Sequence, residues 1–596
     1  MIAGHKALIL ASLLTLSLPV ALPSAVEGPD ELGKVFNTWY KDYKAGKIKP
    51  GDVQGTLRKP YISPELRTQL PQWFGLPTRV NEAGQLFSLL RKRGSAKDGE
   101  RLVDVILVGA KKKGGLLIGG MYWKFRQAAI PYLRGPETPT EFKKVVFERL
   151  EKGLVIPNPE AKKPVWKHKD PTTARLLVPL IGSYENQLYR GTLEALLKVD
   201  HPDLQIAAAK GLGKMGSGNS MEKVSEVLGN LKFHDQFLEA GDALILLAKA
   251  TKPKVTEEQL VHTLRALLDV MEEQKNWRTR SALIPVLRTM RGKATVPVLI
   301  GLLEQAKAKP KEKGKGGVFA FSGTLLADIQ DALKDLTGFY APVNQPERWR
   351  SWWDSQDEDF KIKPASERAV GAKDKDKGKT SASSFFGIPV TGSRVVFILD
   401  VSGSMLWYMG RPTPRGRWAP PTGDIDSRIK RAKKELISAI KGMTTDDKFN
   451  VVFFSTEVRV WKKRLVVANK TNKKAIADTV GRIHADGATA LYDAIRDGLK
   501  IKATRKPGAR YASEVDEVFL LSDGAPTAGE ILSMDKILKK VRGFNRGARI
   551  RINTIFLGTK EPAPTLQNGG KLSSMTTDQF MKRMALQNRG KFRHVK

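Results

Sequence analysis

The chain has 596 residues and 41% hydrophobic content, which exclude both a single small domain and wholesale disorder. Its length predicts about three units of roughly 150–200 residues each. The absence of cysteine excludes disulfides, thiol chemistry, iron–sulfur clusters, cysteine-based zinc sites and a cysteine-anchored lipoprotein. The formal net charge of +39 favours anionic partners: acidic proteins, anionic envelope polymers, lipid surfaces or nucleic acid.

Residues 1–25 are predicted to be a secretory signal peptide. His5 and Lys6 precede the apolar stretch Ala7–Val20, and Pro23–Ala25 offers small residues for cleavage. The stretch is shorter than the ~20 apolar residues that span a bilayer. An uncleaved N-terminal anchor is the alternative. We therefore expect a mature chain without a transmembrane span that is exported to the periplasm, the cell surface or the medium, and export disfavours nucleic acid as its natural partner.

Amphipathic helices are predicted over residues 86–356, after a helical lead-in at residues 26–85. Thr256–Gln259 has the pattern of a capping box, and the leucines that follow it share one helical face. The helix pairs and their spacing resemble HEAT repeats, which stack into an α-solenoid. The alternative is a compact, irregular helical domain. Trp349–Trp353 is expected to close the end of the stack, because packing explains these tryptophans more simply than a sugar- or base-stacking platform.

The composition changes sharply at residues 357–384. This stretch is rich in lysine and aspartate and contains little that a core could bury. We expect a charged, flexible linker between the helical region and the remaining residues, 385–596.

Two apolar runs in the last third of the chain end in aspartate. Val395–Leu399 and Val518–Leu521 have the pattern of strands that are buried on both faces. Asp400 follows the first run, and Asp523 lies just beyond the second. In open α/β sheets, ligands bind in the crevice outside the carboxyl ends of parallel strands. Both carboxylates are therefore expected at one edge of a sheet.

Hydroxyl side chains accompany these carboxylates. Ser402 and Ser404 follow Asp400 closely, and Thr489 precedes the second run in Gly-Ala-Thr-Ala. An all-oxygen donor set suits Mg²⁺, with Mn²⁺ able to take its place, and does not suit zinc or copper. The first segment taken alone could also be a helix N-cap. All three segments together favour a metal site that leaves one coordination position for a carboxylate of another molecule.

Asp400, Ser402, Ser404, Thr489 and Asp523 resemble the metal-ion-dependent adhesion site of von Willebrand factor type A domains. The family motif is Asp-x-Ser-x-Ser with a distant Thr and a distant Asp. The resemblance implies a Rossmann-like α/β domain at residues 385–596, with a central, mostly parallel sheet flanked by helices. It implies that the two serines and Thr489 touch the metal directly, and that the two aspartates hold it largely through water. It also implies that an acidic residue of a protein ligand completes the site.

The segment between the first motif and the next predicted helix, residues 406–425, is longer than is usual in the family. It carries aromatic and arginine side chains, the residue types that dominate interface energetics. These candidate ligand-binding residues are Trp407, Tyr408, Arg411, Arg415, Arg417 and Trp418. The alternative is a lid whose aromatic side chains cover apolar surface of the domain.

These features predict an exported, metal-dependent protein-binding or adhesion-type protein, with the helical repeats as a second interaction scaffold. No enzymatic activity is expected, because no His-Glu-x-x-His pair or nucleophile elbow is present and Gly211–Gly216 ends a helix rather than binding a dinucleotide. One alternative is a basic RNA-binding protein, because the Ro autoantigen family has a similar layout. Another is an assembly or chelatase-like adaptor subunit.

Overall fold

The structure is a computed structural model. It describes residues 30–45, 80–108, 121–155, 167–250, 254–274, 276–308, 321–357, 359–362, 383–409, 426–499, 513–559 and 575–595. The predicted signal peptide, most of the predicted lead-in and most of the predicted linker lie outside these residues. The chain divides into two compact units, Met1–Gly153 with Thr172–Tyr184, and Leu154–Pro171 with Glu185–Lys596. Within the described residues, no helix is both long enough and apolar enough to span a bilayer.

The first unit is helical and has an aromatic core. The Trp39 ring stacks on that of Tyr43 with 5.0 Å between the ring centroids. Phe87 and Phe125 lie against the same indole at 5.5 and 5.7 Å. The helices are α1 (Glu31–Ala45), α2 (Val80–Arg93), α3 (Ala96–Leu107), α4 (Met121–Ala129), α5 (Thr140–Glu151) and α6 (Pro171–Ile181).

The second unit begins with a small hairpin and continues with helices. The hairpin pairs β1 (Leu154–Val155) with β2 (Lys167–His168). The helices are α7 (Arg190–Leu197), α8 (Pro202–Met215), α9 (Met221–Glu226), α10 (His234–Ala248), α11 (Glu257–Glu273), α12 (Trp277–Met290), α13 (Thr295–Ala308), α14 (Gly323–Thr337) and α15 (Pro346–Asp354). The predicted helical character of this region is confirmed.

Local sequence explains where these helices begin and end. The Thr256 hydroxyl accepts from the Gln259 N–H at 3.3 Å, and the Gln259 side chain accepts from the Thr256 N–H at 3.1 Å, which confirms the capping box. Helix α8 begins at Pro202 and ends at Met215, and the Gly216 cap that follows it has a left-handed φ of 65°. The Gly211–Gly216 motif therefore lies at a helix end, as predicted, and not in a phosphate-binding loop.

Alternate helices of the second unit pack side by side. Contacts run in series from α8 to α10, α12 and α14, while α9 packs on α11 and α13 on α15. At the end of this series, Trp349 is fully buried and its indole N–H donates to the Ala341 carbonyl at 3.1 Å. Phe339 stacks on Trp352 with 4.6 Å between ring centroids. The tryptophans thus pack the end of the helical series, and its assignment to the HEAT class stays a prediction.

The remaining residues form an α/β domain around one sheet. A short hairpin, β3 (Ser384–Phe385) with β4 (Ile388–Pro389), precedes the sheet. The sheet order is β11-β10-β9-β5-β6-β7, and β8 also pairs with β6. Strands β7 and β8 run antiparallel to β6, and the other pairings are parallel. The strands are β5 (Arg394–Asp400), β6 (Lys448–Phe454), β7 (Val458–Val460), β8 (Val466–Val467), β9 (Glu517–Ser522), β10 (Arg551–Phe556) and β11 (Phe592–His594). The predicted mostly parallel sheet is confirmed.

Helices cover both faces of this sheet, because alternate residues of each strand point to opposite sides. In β5, Val395, Phe397 and Leu399 belong to the core on one face, and Val396 and Ile398 to the core on the other. Helices α16 (Arg428–Gly442) and α17 (Lys470–Gly481) contribute to the first core. Helices α18 (Leu491–Leu499), α19 (Met534–Ala548) and α20 (Thr577–Gln587) contribute to the second.

Within the second unit, the helical series contacts the amino edge of the sheet. The Arg278 side chain, on α12, donates to the carbonyl oxygens of Ser513 at 2.7 Å and Ala548 at 3.0 Å. Asp328, on α14, forms an ion pair with Arg551 at 2.9 Å and a second one with Arg589. Ligand sites of such sheets lie at the carboxyl edge. The helical series therefore contacts the edge opposite to the predicted metal site.

Candidate metal centre

The structure brings the five predicted residues together at the carboxyl edge of the sheet. Strand β5 ends at Asp400, and β9 ends one residue before Asp523. These strands are parallel neighbours with Leu399 opposite Leu521, so the two carboxylates leave the sheet side by side. Both aspartates, Ser402 and Thr489 are buried, and Ser404 is half-buried.

Hydrogen bonds fix the oxygen atoms of the first segment. The Ser402 N–H donates to Asp400 Oδ1 at 2.9 Å, and the Ser522 hydroxyl donates to Asp400 Oδ2 at 2.5 Å. The Ser404 hydroxyl donates to Asp523 Oδ1 at 2.8 Å, and the hydroxyl oxygens of the two motif serines lie 3.1 Å apart. The carboxylates and hydroxyls therefore converge on one small volume.

Backbone hydrogen bonds hold the Thr489 segment against this motif. The Gly403 N–H donates to the Gly487 carbonyl at 3.0 Å, and the Asp486 N–H donates to the Val401 carbonyl at 2.9 Å. The Thr489 N–H in turn donates to the Thr527 hydroxyl at 2.9 Å, just beyond β9. Three segments that are distant in sequence thus share one rigid backbone frame.

Two further residues of the site were missed by sequence reasoning. Arg428 forms an ion pair with Asp523 Oδ2 at 2.8 Å, with 1% and 0% of the two side chains exposed. Nothing in the local sequence around the start of α16 indicates this partner, because arginine there is equally typical of an exposed helix end. The other residue is Ser522, the one hydroxyl in an otherwise apolar run, and its position directly before Asp523 could have indicated its role.

The electrostatics of the site favour a bound cation. Burial and the nearby charge of Asp523 together raise the pKa of Asp400 to about 7. Burial also raises the pKa of Asp523, although Arg428 opposes this shift. Two buried carboxylates thus lie side by side and Arg428 pairs with Asp523, so a divalent cation among these all-oxygen donors would offset the remaining negative charge. The residues present fit Mg²⁺.

A second cluster of potential ligands lies on the helical series. Glu222 and Glu226 on α9 and His262 on α11 place one ligand atom each within 4.8 Å of the others. The His262 imidazole lies 3.5 Å from the Glu222 carboxylate, and both side chains are more than 40% exposed. A solvent-exposed contact between an imidazole and a carboxylate explains this arrangement without a metal.

The long segment after the motif begins beside Arg428. Tyr408 forms an isolated β-bridge with Ser427, and the Arg428 N–H donates to the Trp407 carbonyl at 2.9 Å. The two aromatic rings meet edge to face at 5.5 Å, and both residues are half-buried. The other candidate ligand-binding residues, Arg411, Arg415, Arg417 and Trp418, lie outside the described residues. Ligand contact by this segment stays a prediction.

Gly487 occupies a backbone conformation that favours glycine. Its φ is +80°, and an added Cβ would lie 2.6 Å from the Thr456 hydroxyl oxygen. We expect Gly487→Ala to destabilise the domain by about 1–2 kcal/mol and to weaken Mg²⁺ binding several-fold, because the Thr489 segment would shift. Gly481→Ala is the matched control, since no atom lies within 4 Å of its added Cβ. Equal Mg²⁺ affinities of the two variants by titration calorimetry would contradict the positioning role.

Comparison with known proteins identifies the domain. Residues 423–573 match the family described as the von Willebrand factor type A domain. Thr489 and Asp523 lie within this match, and Asp400, Ser402 and Ser404 precede it. Over 210 residues, the chain is 27% identical to inter-alpha-trypsin inhibitor heavy chain H3 of Mus musculus, covering 35% of this chain and 20% of that protein. Over 154 residues, it is 31% identical to heavy chain H1 of Homo sapiens, covering 26% and 15%. The chain thus spans a fifth or less of the length of these relatives.

Two solved structures resemble part of the chain. One is an aerotolerance-related membrane protein from Bacteroides fragilis, with 16% identity, a TM-score of 0.24 and coverage of 34% of this chain and 92% of that chain. The other is a von Willebrand factor type A protein from Catenulispora acidiphila, with 20% identity, a TM-score of 0.24 and coverage of 35% and 39%. We draw nothing about function from these two likenesses.

Proposed function

Residues 423–573 form a von Willebrand factor type A domain, and we propose that the chain is an exported, non-enzymatic protein that binds an acidic protein ligand through Mg²⁺ at this domain. Ser402, Ser404 and Thr489 would hold the ion directly, and Asp400 and Asp523 would hold it largely through water. When bound, the cation supplies an open coordination position for a carboxylate of the ligand. Mn²⁺ is expected to substitute for Mg²⁺.

The arrangement of buried charge supports this proposal most directly. Asp400 and Asp523 lie side by side, and Arg428 pairs with Asp523. Their position at the carboxyl edge suits recognition of a ligand from solution. The inter-alpha-trypsin inhibitor heavy chains share this domain and are named as chains of a protein inhibitor, which agrees with a role in protein binding.

The helical series would serve as a second binding scaffold, stacked as HEAT-like repeats. Its contacts with the sheet lie at the amino edge, so that the carboxyl edge and the helical surface could engage one large ligand together. The excess of 101 Lys and Arg over 62 Asp and Glu would speed the encounter with an acidic partner or an anionic envelope surface.

Removal of the metal is expected to abolish ligand capture without unfolding the protein. We expect the full-length chain to retain acidic proteins from an envelope extract in Mg²⁺ and to release them in EDTA. Ser402→Ala should give the EDTA result in Mg²⁺, because it removes a direct ligand, while Ser533→Ala, at the cap of α19, serves as a control.

If Ser402→Ala captures as much ligand as the unaltered chain does, in Mg²⁺ and also in EDTA, the metal mechanism is rejected. Retention that survives EDTA, depends on RNA in the extract and falls steeply with salt would support the RNA-binding alternative instead. Circular dichroism of each variant verifies that the fold is retained.

A further inference from the structure

An open groove begins at the metal motif and continues along one side of the sheet. One wall is the turn and strand Ser455–Arg459, and the other is the loop Arg482–Gly487 after α17. The groove is open to solvent, and the empty space between and above its walls is about 1140 Å³. The groove therefore adjoins the proposed metal site, since Val401 lies between Asp400 and Ser402.

The groove is continuous with the metal motif through backbone contacts. Asp486 and Gly487 form its inner end, and they bond to Val401 at 2.9 Å and Gly403 at 3.0 Å. Val401 itself lines the groove. If one residue of a ligand binds at the metal, the next residues of that ligand can therefore lie in the groove.

Charge changes sign along the groove. Strand β7 runs antiparallel to β6, with Val458 opposite Phe454 and Arg459 opposite Phe453, so Arg459 lies farther from the carboxyl edge than Glu457. On the other wall, Arg482 caps the end of α17, whereas Asp486 adjoins the metal motif. The two acidic side chains therefore lie at the metal end, and the two guanidinium groups lie farther out.

The outer guanidinium groups are available for a ligand. Arg459 and Arg482 are exposed, and within the described part of the chain no carboxylate lies within ion-pair distance of either. The Arg482 Nε donates to the Asp478 carbonyl oxygen at 3.2 Å, so the terminal nitrogens of this guanidinium are the part that would meet a ligand. Arg459 and Arg482 line the two walls of the groove, and guanidinium pairs with carboxylate in a fork geometry, so these side chains are suited to bind an acidic ligand.

We infer that this groove binds an extended acidic peptide segment of the ligand. One carboxylate of the segment goes to the metal, and a second, farther along the peptide, is held between Arg459 and Arg482. The inference rests on the proposed function, because it takes the first carboxylate to be metal-bound. The second contact adds a specificity that the metal alone does not provide. A peptide with several acidic residues is expected to bind more tightly than a peptide with one.

Two fluorescent peptides of equal length test this inference by anisotropy with the full-length chain in Mg²⁺. One is hexaglutamate, and the other has a single glutamate among glutamines. We expect hexaglutamate to bind at least about tenfold more tightly, since hydrogen bonds to charged groups contribute enough for such a factor. The double variant Arg459→Gln/Arg482→Gln should remove this advantage and leave Mg²⁺-dependent binding of the single-glutamate peptide unchanged.

Lys539→Gln/Arg542→Gln removes the same charge from exposed positions on α19 and serves as the control. It should change neither affinity more than about twofold at 0.15 M salt, where exposed charges are screened beyond ~8 Å. Equal weakening of hexaglutamate binding by both double variants, or no weakening by the groove variant, would overturn the groove and leave the proposed function intact. Absence of Mg²⁺-dependent binding of either peptide to the unaltered chain would overturn both.

Discussion

Asp328→Ala is expected to lower the free energy of unfolding of the second unit by about 3–5 kcal/mol, because it leaves buried cations without their counter-charge. The carboxylate accepts from the Ser281 hydroxyl at 2.6 Å and from Arg551 at 2.9 Å, and it is also paired with Arg589. It is 6% exposed. Urea denaturation followed by tryptophan fluorescence measures the loss as a shift of the midpoint.

Asp331→Ala is the matched control on the same helix. Its carboxylate lies 3.4 Å from Arg551 but is 49% exposed, so we expect a loss below about 1 kcal/mol. Asp328→Asn keeps the size of the side chain and tests charge alone. Equal midpoints for Asp328→Asn and Asp331→Ala would show that the contact between helices and sheet does not depend on this ion-pair network.

The same network should be sensitive to acid. Burial by itself would raise the pKa of Asp328, but the charges of Arg589 and Arg551 outweigh it, and the pKa lies below its ordinary value. The stabilisation is therefore complete above the pKa of an unfolded aspartate, about 3.9, and is lost as the pH falls through the lower folded value. The stability difference between the unaltered chain and Asp328→Asn should be constant from about pH 5 to 7 and should shrink below about pH 4.

Arg428→Met is expected to destabilise the domain by about 3–5 kcal/mol in EDTA, because Asp523 then lies buried without its cation. Mg²⁺ should restore part of this loss, since ligand binding to the folded state stabilises it by mass action. The variant should gain more from Mg²⁺ than the unaltered chain does, because its site carries more uncompensated negative charge. Thermal unfolding in EDTA and in a series of Mg²⁺ concentrations measures both effects.

Arg431→Met is the control for this substitution. Arg431 lies on the same helix and is 43% exposed in its pair with Glu435, so we expect a loss below about 1 kcal/mol and no change in the Mg²⁺ response. An equal response to Mg²⁺ in both variants would indicate that the ion does not bind beside Asp523. A loss for Arg428→Met no larger than the control's would show that the buried pair contributes little.

The amino edge and the carboxyl edge of the sheet differ in what they contact. At the amino edge, Arg278 and Asp328 join the sheet to the helical series through bonds that are largely buried. At the carboxyl edge, Asp400 and Asp523 lie side by side in the proposed cation site. The sheet thus contacts the helical series at one edge, and the proposed ligand site is at the other. Asp328→Ala tests the first edge, and Arg428→Met tests the second.

The two strands predicted from apolar runs are present in the sheet, and each extends beyond its run by one residue at both ends. The run Val518–Leu521 was expected, and strand β9 extends over Glu517–Ser522. Glu517 is an acidic residue that is nevertheless buried, because its side chain accepts from the N–H groups of Thr391 at 2.7 Å and Gly392 at 2.6 Å. An apolar pattern cannot include such a residue, since the donors that permit its burial are more than a hundred residues away.

The order of apolar residues along this chain was sufficient to locate two neighbouring parallel strands, β5 and β9, and the type and position of Asp400 and Asp523 were sufficient to place two carboxylates at one edge. Burial follows local periodicity, and parallel strands align their carboxyl ends whatever the rest of the fold does. Only the tertiary structure decided which cations meet these acids. Arg428 reaches Asp523 across 95 residues, and Arg551 reaches Asp328 across 223. Such pairs depend on which helix packs against which edge of the sheet, and the local pattern of charged residues does not predict that packing.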